Sequence, residues 1–453
     1  MPKLRVPAFI LAFLALLCWT AAPAAAQSIL RDAETEALLR DMAKPLVEAA
    51  GLDPANVDIV LINDPSVNAF VAGGQAVYVN SGLIDEADTA GEVQGVIAHE
   101  LGHVTGGHAV LNQGARAATS ISLLSLLLGA AAAAAGGGEA AMGVLMAGQQ
   151  AAMGKYLAYN RSQEASADAA GAKYLSDAGI SGRGSVEFFK KLQNLEFRYG
   201  YRAREGDEFY SSHPLTGDRI QTLQDTYEQD PAWEKPDDAK LQQRFTRMKA
   251  KLYGYLAEPR NVYRRYPPTD NSVAARYARA YAYNRESKLD EARAETEALV
   301  ALDPADPYFL ELQGQILLES GQPAKALEPL RRATEMTGNQ PLIATLFGHA
   351  LMATEDRTNF EEAERVLRAA VVRDRENPFA WYQLGTIYAA RGDMPRARLA
   401  SAEQQVLSGR MTEALASAQA ARLGLPTGSA DWLRAQDIEF QARAELEREK
   451  KRR

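Results

Sequence analysis

The feature that most restricts the fold of this chain is an internal repeat in its C-terminal half. Small residues recur 34 residues apart, with one last interval of 37, at Ala280, Gly314, Gly348 and Gly385. Alanines follow them after 12 residues, or after 15 in one unit, at Ala292, Ala326, Ala363 and Ala397. A period of this length is typical of stacked helix pairs, which bury their apolar faces only against neighbouring pairs. The sequence therefore predicts an α-solenoid.

One unit of this repeat, WYQLGTIYAARGDMPRA (381–397), resembles a tetratricopeptide repeat. The signature positions of that repeat are occupied by Trp381, Leu384, Gly385, Tyr388 and Ala397. The resemblance covers about four units over residues 273–425. It implies a concave face that binds extended peptides or partner helices. A generic helical bundle is the alternative interpretation.

The N-terminus has the pattern of a secretory signal over residues 1–26. Lys3 and Arg5 precede the apolar run AFILAFLALLCW, and small residues suit cleavage after Ala26. The single cysteine, Cys18, lies within this signal, so the mature chain has no disulfide. Export without disulfides favours the periplasm of a Gram-negative bacterium, reached by a Sec signal peptide.

Charge and length restrict the remaining possibilities. The formal net charge of −8 becomes −10 once Lys3 and Arg5 are removed, which gives no electrostatic basis for nucleic-acid binding. About 430 residues are too many for one core. The sequence predicts a mixed α and β domain at 27–257, a proline-containing linker at 258–272, repeats at 273–425, and a C-terminal helix with a charged tail at 426–453.

The N-terminal domain mixes helical and strand patterns. Leu38, Leu39, Met42 and Leu46 form a helical stripe. A short strand is predicted at 57–62, and two strands joined at Gly73-Gly74 are predicted within 68–80. A further helix is expected to begin near Gly91.

That last helix contains the pattern H-E-x-x-H at His99, Glu100 and His103. Residues four apart on a helix differ by about 40° around its axis and lie one turn apart, so both imidazoles point the same way. This arrangement is typical of two zinc ligands, with the adjacent glutamate placed to reach a water molecule.

A third histidine, His108, follows nine residues after His99. If the helix continues, it lies about half a turn out of phase and faces away from the site. A rival pattern uses a glycine bend to return a third histidine to the metal. Gly106 stands at that bend, but Ala109 occupies the histidine position.

A second element supplies carboxylates at Glu164 and Asp168, four residues apart in NRSQEASADAAGAKYLSDAG (160–179). A zinc site with two histidines and an open position needs one more protein ligand, commonly a carboxylate. The longer Glu164 can reach the metal, and Asp168 can bond the far nitrogen of a ligand histidine. The alternative is an ordinary charged surface helix, which fits the surrounding alanines less well.

These segments, followed by SSHPLTGDRI (211–220), occur in the order seen in the gluzincin family of membrane proteases and CAAX-prenyl proteases, which the chain resembles over residues 30–225. The resemblance implies an α+β fold, mostly α: a zincin-like metalloprotease domain with a small β-hairpin or sheet, followed by the tetratricopeptide solenoid. The signal and repeats extend the resemblance to a periplasmic protease-chaperone branch of the family.

The resemblance implies one Zn²⁺ per chain, with His99, His103 and Glu164 as ligands, Glu100 as general base and Asp168 as outer partner. It implies that His213 lies near the metal as a fourth ligand or inhibitory switch. A histidine that caps a turn before a proline is the alternative for that position.

Other residues are implied near the site, and a substrate position is predicted. Arg161 and Arg219 match arginines of the family whose roles the sequence does not assign. An extended substrate is expected along an edge strand by β-augmentation, at Asn68, Ala69, Phe70 and Val71.

The predicted activity is endopeptidase cleavage of unfolded or stalled outer-membrane β-barrel proteins, with chaperone-like assistance of their assembly. The repeat face is expected to bind the outer-membrane assembly machinery. A catalytically quiet repeat scaffold, whose metal site is a conformational lock, is the alternative. The uncharged residues 117–138 are expected to form a pair of Ala-rich helices acting as a lid or plug, with a peripheral membrane contact as the alternative.

Overall fold

The computed structural model describes residues 28–108, 113–134, 138–199, 213 and 217–452, so the predicted signal lies outside the described residues. Helices dominate and one small sheet is present, which confirms the α+β, mostly α prediction. The chain forms two compact units. The first contains residues 28–30, Leu46–Ala87 and Glu92–Trp233, and the second contains Arg31–Pro45, Asp88–Gly91 and Glu234–Arg453.

The sheet lies in the first unit and has a mixed topology. Its strands are β1 (Ser28–Ile29), β2 (Asp58–Asn63), β3 (Ala69–Ala72) and β4 (Ala76–Asn80). They follow the order β1-β2-β4-β3, with β2 parallel to β4 and β3 antiparallel to β4. Gly73 and Gly74 turn the predicted hairpin at φ values of 64° and 106°, which glycine adopts without strain. The strand predictions are confirmed, and β3 is an edge strand of the described sheet.

The first helices along the chain are α1 (Ala33–Ala49), α2 (Ser81–Glu86), α3 (Ala90–Thr105), α4 (Gln113–Ala134), α5 (Gly138–Asp177), α6 (Arg183–Tyr199) and α7 (Gly217–Glu228). The predicted apolar stripe on α1 is buried. The helix α3 begins one residue before the predicted position. The Ala-rich segment 117–138 contains most of α4 and the first residue of α5.

Two glycines allow α3 and α5 to pack closely. A Cβ atom at Gly102 would lie 2.6 Å from the carbonyl oxygen of Ala167. A Cβ atom at Gly171 would lie 3.1 Å from the backbone of Ala98. Because the two backbones nearly touch, short side chains on the facing surfaces of α3 and α5 reach one another.

The helices of the second unit are α8 (Ala239–Leu256), α9 (Pro259–Arg265), α10 (Val273–Arg285), α11 (Leu289–Leu302), α12 (Pro307–Glu319), α13 (Pro323–Met336), α14 (Pro341–Ala353), α15 (Phe360–Arg373), α16 (Pro378–Ala390), α17 (Met394–Leu407), α18 (Met411–Gly424) and α19 (Ala430–Arg452). Helix pairs from α10 to α17 follow the predicted period. All eight small repeat positions are buried in them. The residues given as a linker contain α9, and the predicted domain boundaries stay a prediction.

The starts of the repeat helices follow from capping chemistry. Asp306, Gln340 and Asn377 each accept hydrogen bonds from backbone N–H groups of the turn that follows. Each is followed by proline at the first helical position, where the missing N–H has no intrahelical partner to lose. The repeat period is thus also a period of helix starts.

Candidate metal centre

Four buried side chains from three parts of the first unit converge on one point. His99 and His103 come from α3, Glu164 comes from α5, and His213 precedes α7. The Nε2 atoms of His99 and His103 are 3.1 Å apart. The Nδ1 atom of His213 lies 3.3 Å from His99 Nε2 and 3.0 Å from Glu164 Oε2. The four side chains therefore direct one ligand atom each at a shared position.

These separations fit a metal ion. Zinc binds imidazole nitrogen and carboxylate oxygen at about 2.0–2.1 Å in tetrahedral geometry, which places ligand atoms about 3.3 Å from one another. Glu164 Oε1 lies 3.3 Å from His103 Nε2, and Glu164 Oε2 lies 3.4 Å from His99 Nε2. Three imidazoles and one carboxylate without sulfur also suit a divalent transition metal. The donor set can hold a metal.

Arg219, at the start of α7, partly offsets the negative charge of the two carboxylates in the site. Its guanidinium contacts Asp168 through Nε at 2.5 Å and Nη2 at 2.8 Å, and Nη1 lies 3.0 Å from Glu164 Oε2. Asp168 Oδ1 is also 2.9 Å from His99 Nδ1, although the contact is bent away from a straight hydrogen bond. Asp168 thus joins the arginine to the outer nitrogen of a ligand histidine.

The electrostatics of these groups differ strongly from those in water. Burial alone would lower the pKa of His99, but Asp168 and Glu164 outweigh it and raise that pKa to about 9. Burial opposes ionisation of Glu164, yet hydrogen bonds from the histidines hold its pKa well below the usual range. Burial lowers the pKa of His213. Desolvation and close opposite charges account for these directions.

Glu100 lies beside the ligands without being one of them. It is fully buried, and its Oε1 atom has no hydrogen-bond partner among the described residues. The nearest ring nitrogen of His213, Nε2, is 3.5 Å away. Burial raises the pKa of Glu100 to about 7, so the carboxylate gains and loses a proton near neutrality. That property suits a general base.

His108 does not face away, so that expectation is wrong. The condition on which it rested fails, because α3 ends at Thr105 and the chain turns back. His108 Nδ1 lies 2.8 Å from Nδ1 of His103, on the side of that ring opposite the ligand atom. His108 is therefore an outer contact and not a member of the ligand cluster.

The remaining predicted site residues lie elsewhere in the first unit. Arg161 is exposed on α5 and has no hydrogen bond or ion pair to the described residues of the site. Ala69, Phe70 and Val71 lie in the edge strand β3, where Phe70 stacks on Tyr78 at 5.1 Å. Asn68 is buried just before that strand.

An aromatic side chain that the sequence did not indicate lies against the site. Phe189 on α6 lies edge-on to His99 at 6.2 Å, and the Arg219 guanidinium sits 5.5 Å from the centre of the same ring. On the outer side, the hydroxyls of Thr105 and Tyr174 are 2.8 Å apart. No local pattern marks Phe189, whereas the two glycines after Thr105 mark the turn that returns His108.

Comparisons with known proteins agree with this centre. Residues 31–227 match peptidase family M48, and residues 277–341 and 352–407 match the tetratricopeptide repeat. The beta-barrel assembly-enhancing protease of Escherichia coli (strain K12) is 25% identical over 82% of this chain and 75% of its own length. Metalloprotease LoiP of the same strain is 32% identical over 38% of this chain and 62% of its own.

Among solved structures, the tetratricopeptide protein YrrB is 21% identical over 39% of this chain and 91% of its own length, with a TM-score of 0.32. The chain thus has a metalloendopeptidase site within the residues that match peptidase family M48, followed by residues that match tetratricopeptide repeats.

Proposed function

We propose that this chain is a zinc endopeptidase of the Gram-negative periplasm that cleaves misfolded or stalled outer-membrane β-barrel proteins and assists their assembly. The observation that carries the proposal is the convergence of four ligand atoms beside Glu100, a buried carboxylate whose Oε1 atom has no hydrogen-bond partner among the described residues. The printed name of the E. coli relative supports the client class. The predicted secretory signal supports the compartment.

In this proposal, His99, His103 and Glu164 hold one zinc ion. Zinc in such a site acts as a Lewis acid for a carbonyl and makes water a usable nucleophile near neutral pH. Glu100 accepts a proton from the attacking water and donates it to the amine of the departing chain. Asp168 and Arg219 hold the ligand His99 and keep the buried carboxylates compensated.

In the proposal, His213 blocks the metal position that water or substrate would occupy, so this conformation is closed to substrate. A catalytic zinc keeps one position open for water or substrate. His213 Nδ1 lies 3.3 Å from His99 Nε2 and 3.0 Å from Glu164 Oε2, close to the separation expected between two ligands of one ion. Its other nitrogen faces Glu100. Departure of His213 would free the fourth position and the base together.

The test is digestion of casein, an unfolded protein, by the purified mature chain and two variants, with zinc content measured on each. We expect Glu100→Gln to keep zinc and to lower cleavage by about 10²- to 10⁴-fold, because it removes the base and not a ligand. We expect His213→Ala to cleave faster than wild type. An active Glu100→Gln variant would exclude the proposed base.

The substrate is proposed to bind as an added strand on β3. That strand pairs with β4 on one side only in the described sheet, so its other edge offers backbone groups to an extended chain. An unpaired strand of a stalled barrel protein has the complementary groups, whereas a folded barrel has none free.

The repeats are proposed to bind the outer-membrane assembly machinery. Phe379 and Tyr382 on α16 are exposed and stacked at 6.4 Å, and His349 of α14 lies edge-on to Phe379. Exposed aromatic side chains of this kind are typical anchors for a protein partner. This observation also favours the second candidate function, a scaffold whose metal site serves as a lock.

An assembly assay on Glu100→Gln separates the two candidates. If assistance depends on proteolysis, the variant loses it together with cleavage. If the scaffold function is sufficient, the variant retains assistance, and the double variant Phe379→Ala, Tyr382→Ala loses it while still digesting casein.

The hairpin of α4 and α5 is proposed to act as a lid, because α5 also contains the proposed ligand Glu164. Among the described residues, no helix has the length and apolarity needed to cross a membrane. Large side chains nevertheless point outward, with exposed fractions of 53–67% at Leu123, Leu124, Leu126, Leu127 and Leu128. Carbonate extraction tests for insertion, since an inserted hairpin stays in the membrane pellet, and flotation with lipid vesicles tests for a peripheral contact.

A further inference from the structure

The end of α3 has the hydrogen-bond pattern of a Schellman motif. The N–H of Gly107 donates to the carbonyl of Val104, and the N–H of His108 donates to the carbonyl of His103 at 3.1 Å. Gly107 has the positive φ of 64° that this cap requires. The motif characteristically brings its last residue into contact with the side chain five positions earlier. Here those two residues are His108 and His103.

The contact continues as a chain of hydrogen bonds that ends on the ligand helix. His103 Nδ1 and His108 Nδ1 are 2.8 Å apart, and His108 Nε2 is 3.3 Å from Ser166 Oγ. The Ser166 hydroxyl donates to the carbonyl of Gln163, the residue before Glu164. This series of hydrogen bonds therefore links the Nδ1 side of His103 to the backbone next to Glu164.

Only one assignment of donors and acceptors satisfies this series of hydrogen bonds. With Nε2 of His103 directed at the metal position, the proton of the neutral ring is on Nδ1. That N–H donates to His108 Nδ1, so the proton of His108 is on Nε2 and donates to Ser166. Each member has one donor and one acceptor in use, as an outer partner of a metal ligand requires.

We propose that His108 is a positioning residue for the metal centre. It fixes the tautomer and ring orientation of His103. The proposal rests on the metal site proposed above, and adds that this site is incomplete without the cap of α3. In most Schellman motifs the contact between these two positions is apolar, whereas here it is the hydrogen bond between His108 and His103.

Gly106 provides a second observation. A Cβ atom there would lie 2.4 Å from Nε2 and 2.7 Å from Cε1 of the His108 ring. The φ angle of Gly106 is not in the left-handed region, so alanine fits the backbone, and the three atoms nearest to its Cβ all belong to the His108 ring. Gly106→Ala is therefore expected to displace His108 from His103 while leaving both histidines in the chain.

The test is the dissociation constant for Zn²⁺, measured on the full mature chain by competition with a chromophoric chelator. We expect His108→Ala and Gly106→Ala to weaken binding by about 10- to 100-fold, the range typical for loss of an outer partner. His108→Asn places an acceptor oxygen at the position of Nδ1 and is expected to stay within about threefold of wild type. Thermal unfolding of the metal-free proteins checks that each variant is folded.

The outcomes separate this inference from the proposed function. If wild type binds no zinc, the proposed metal site itself fails. If wild type binds zinc and His108→Ala and Gly106→Ala bind it equally well, the positioning role is overturned alone. If His108→Ala does not fold, the comparison of Gly106→Ala with wild type decides. Weakening by His108→Asn to the level of His108→Ala would also overturn it, since a retained acceptor would then not suffice.

Discussion

At the scale of single residues, contacts to the outer nitrogens of the ligand histidines affect how strongly the site binds a metal. Asp168 lies between His99 and Arg219, with contacts of 2.9 Å and 2.5 Å. Burial alone would raise the pKa of Asp168, but His99 and Arg219 outweigh it and lower that pKa. A permanent negative charge therefore faces the outer nitrogen of His99 and increases its basicity as a ligand.

Asp168→Asn is expected to weaken zinc binding by about tenfold or more, because the amide keeps the shape and loses the charge. The measurement is chelator competition on the mature chain. Asp177→Asn, on an exposed side chain at the end of the same helix, is the matched control and should bind zinc as wild type does. Unchanged affinity in Asp168→Asn would remove the charge argument.

At the scale of elements, the site depends on the separation between α3 and α5. Glu164 reaches the histidines only because Gly102 and Gly171 allow the two backbones to approach. The packing density of protein interiors leaves little room for an added methyl group at such a contact. A small change in helix separation therefore acts directly on the distance between ligands.

Gly102→Ala is expected to lower the free energy of unfolding by about 1–3 kcal/mol, since a Cβ atom 2.6 Å from a backbone oxygen forces the helices apart. Zinc affinity should fall with it. Gly154→Ala is the control, because no atom of the described residues lies within 4 Å of a Cβ atom at that position of α5, and alanine favours the helix. Urea unfolding and chelator competition measure the two effects. Equal behaviour of the two variants would contradict the packing argument.

At the scale of the whole molecule, the second compact unit includes a segment from near the N-terminus. Lys251 on α8 is buried, with Nζ 2.5 Å from Asp32 and 3.5 Å from Glu34. The hydroxyl of Tyr277 donates to Glu34 at 2.8 Å. Residues 31–45 thus belong to the same compact unit as the repeats, although more than 180 residues of the first unit separate them in sequence.

Lys251→Met is expected to lower the free energy of unfolding by about 2 kcal/mol, because it leaves the partly buried carboxylate of Asp32 without the ammonium group that it contacts, whereas Glu34 keeps its contact with Arg247. Lys240→Met, at an exposed position of the same helix, should change it by no more than about 0.5 kcal/mol. Urea unfolding followed by circular dichroism measures both. A loss in the control equal to that in Lys251→Met would show that methionine on α8, and not the lost ion pair, is responsible.

The sequence by itself determined those features that depend on local periodicity. The period of small residues predicted the helix pairs, alternation and paired glycines predicted the hairpin, and the four-residue spacing placed His99 and His103 on one face. Helical spacing likewise placed Glu164 and Asp168 on one face. These follow from fixed geometry along the chain, which a single sequence contains in full.

Only the tertiary structure decided which faces meet. It brought His213 to the ligands, paired Arg219 with Asp168, and placed Phe189 beneath His99, since these contacts depend on how separate helices pack. The return of His108 is different, because the local turn at Gly106 and Gly107 ends α3 at Thr105, a sequence signal that simple extrapolation of the helix leaves out. Packing between elements depends on contacts distant in sequence, and no repeat or spacing within one segment specifies them.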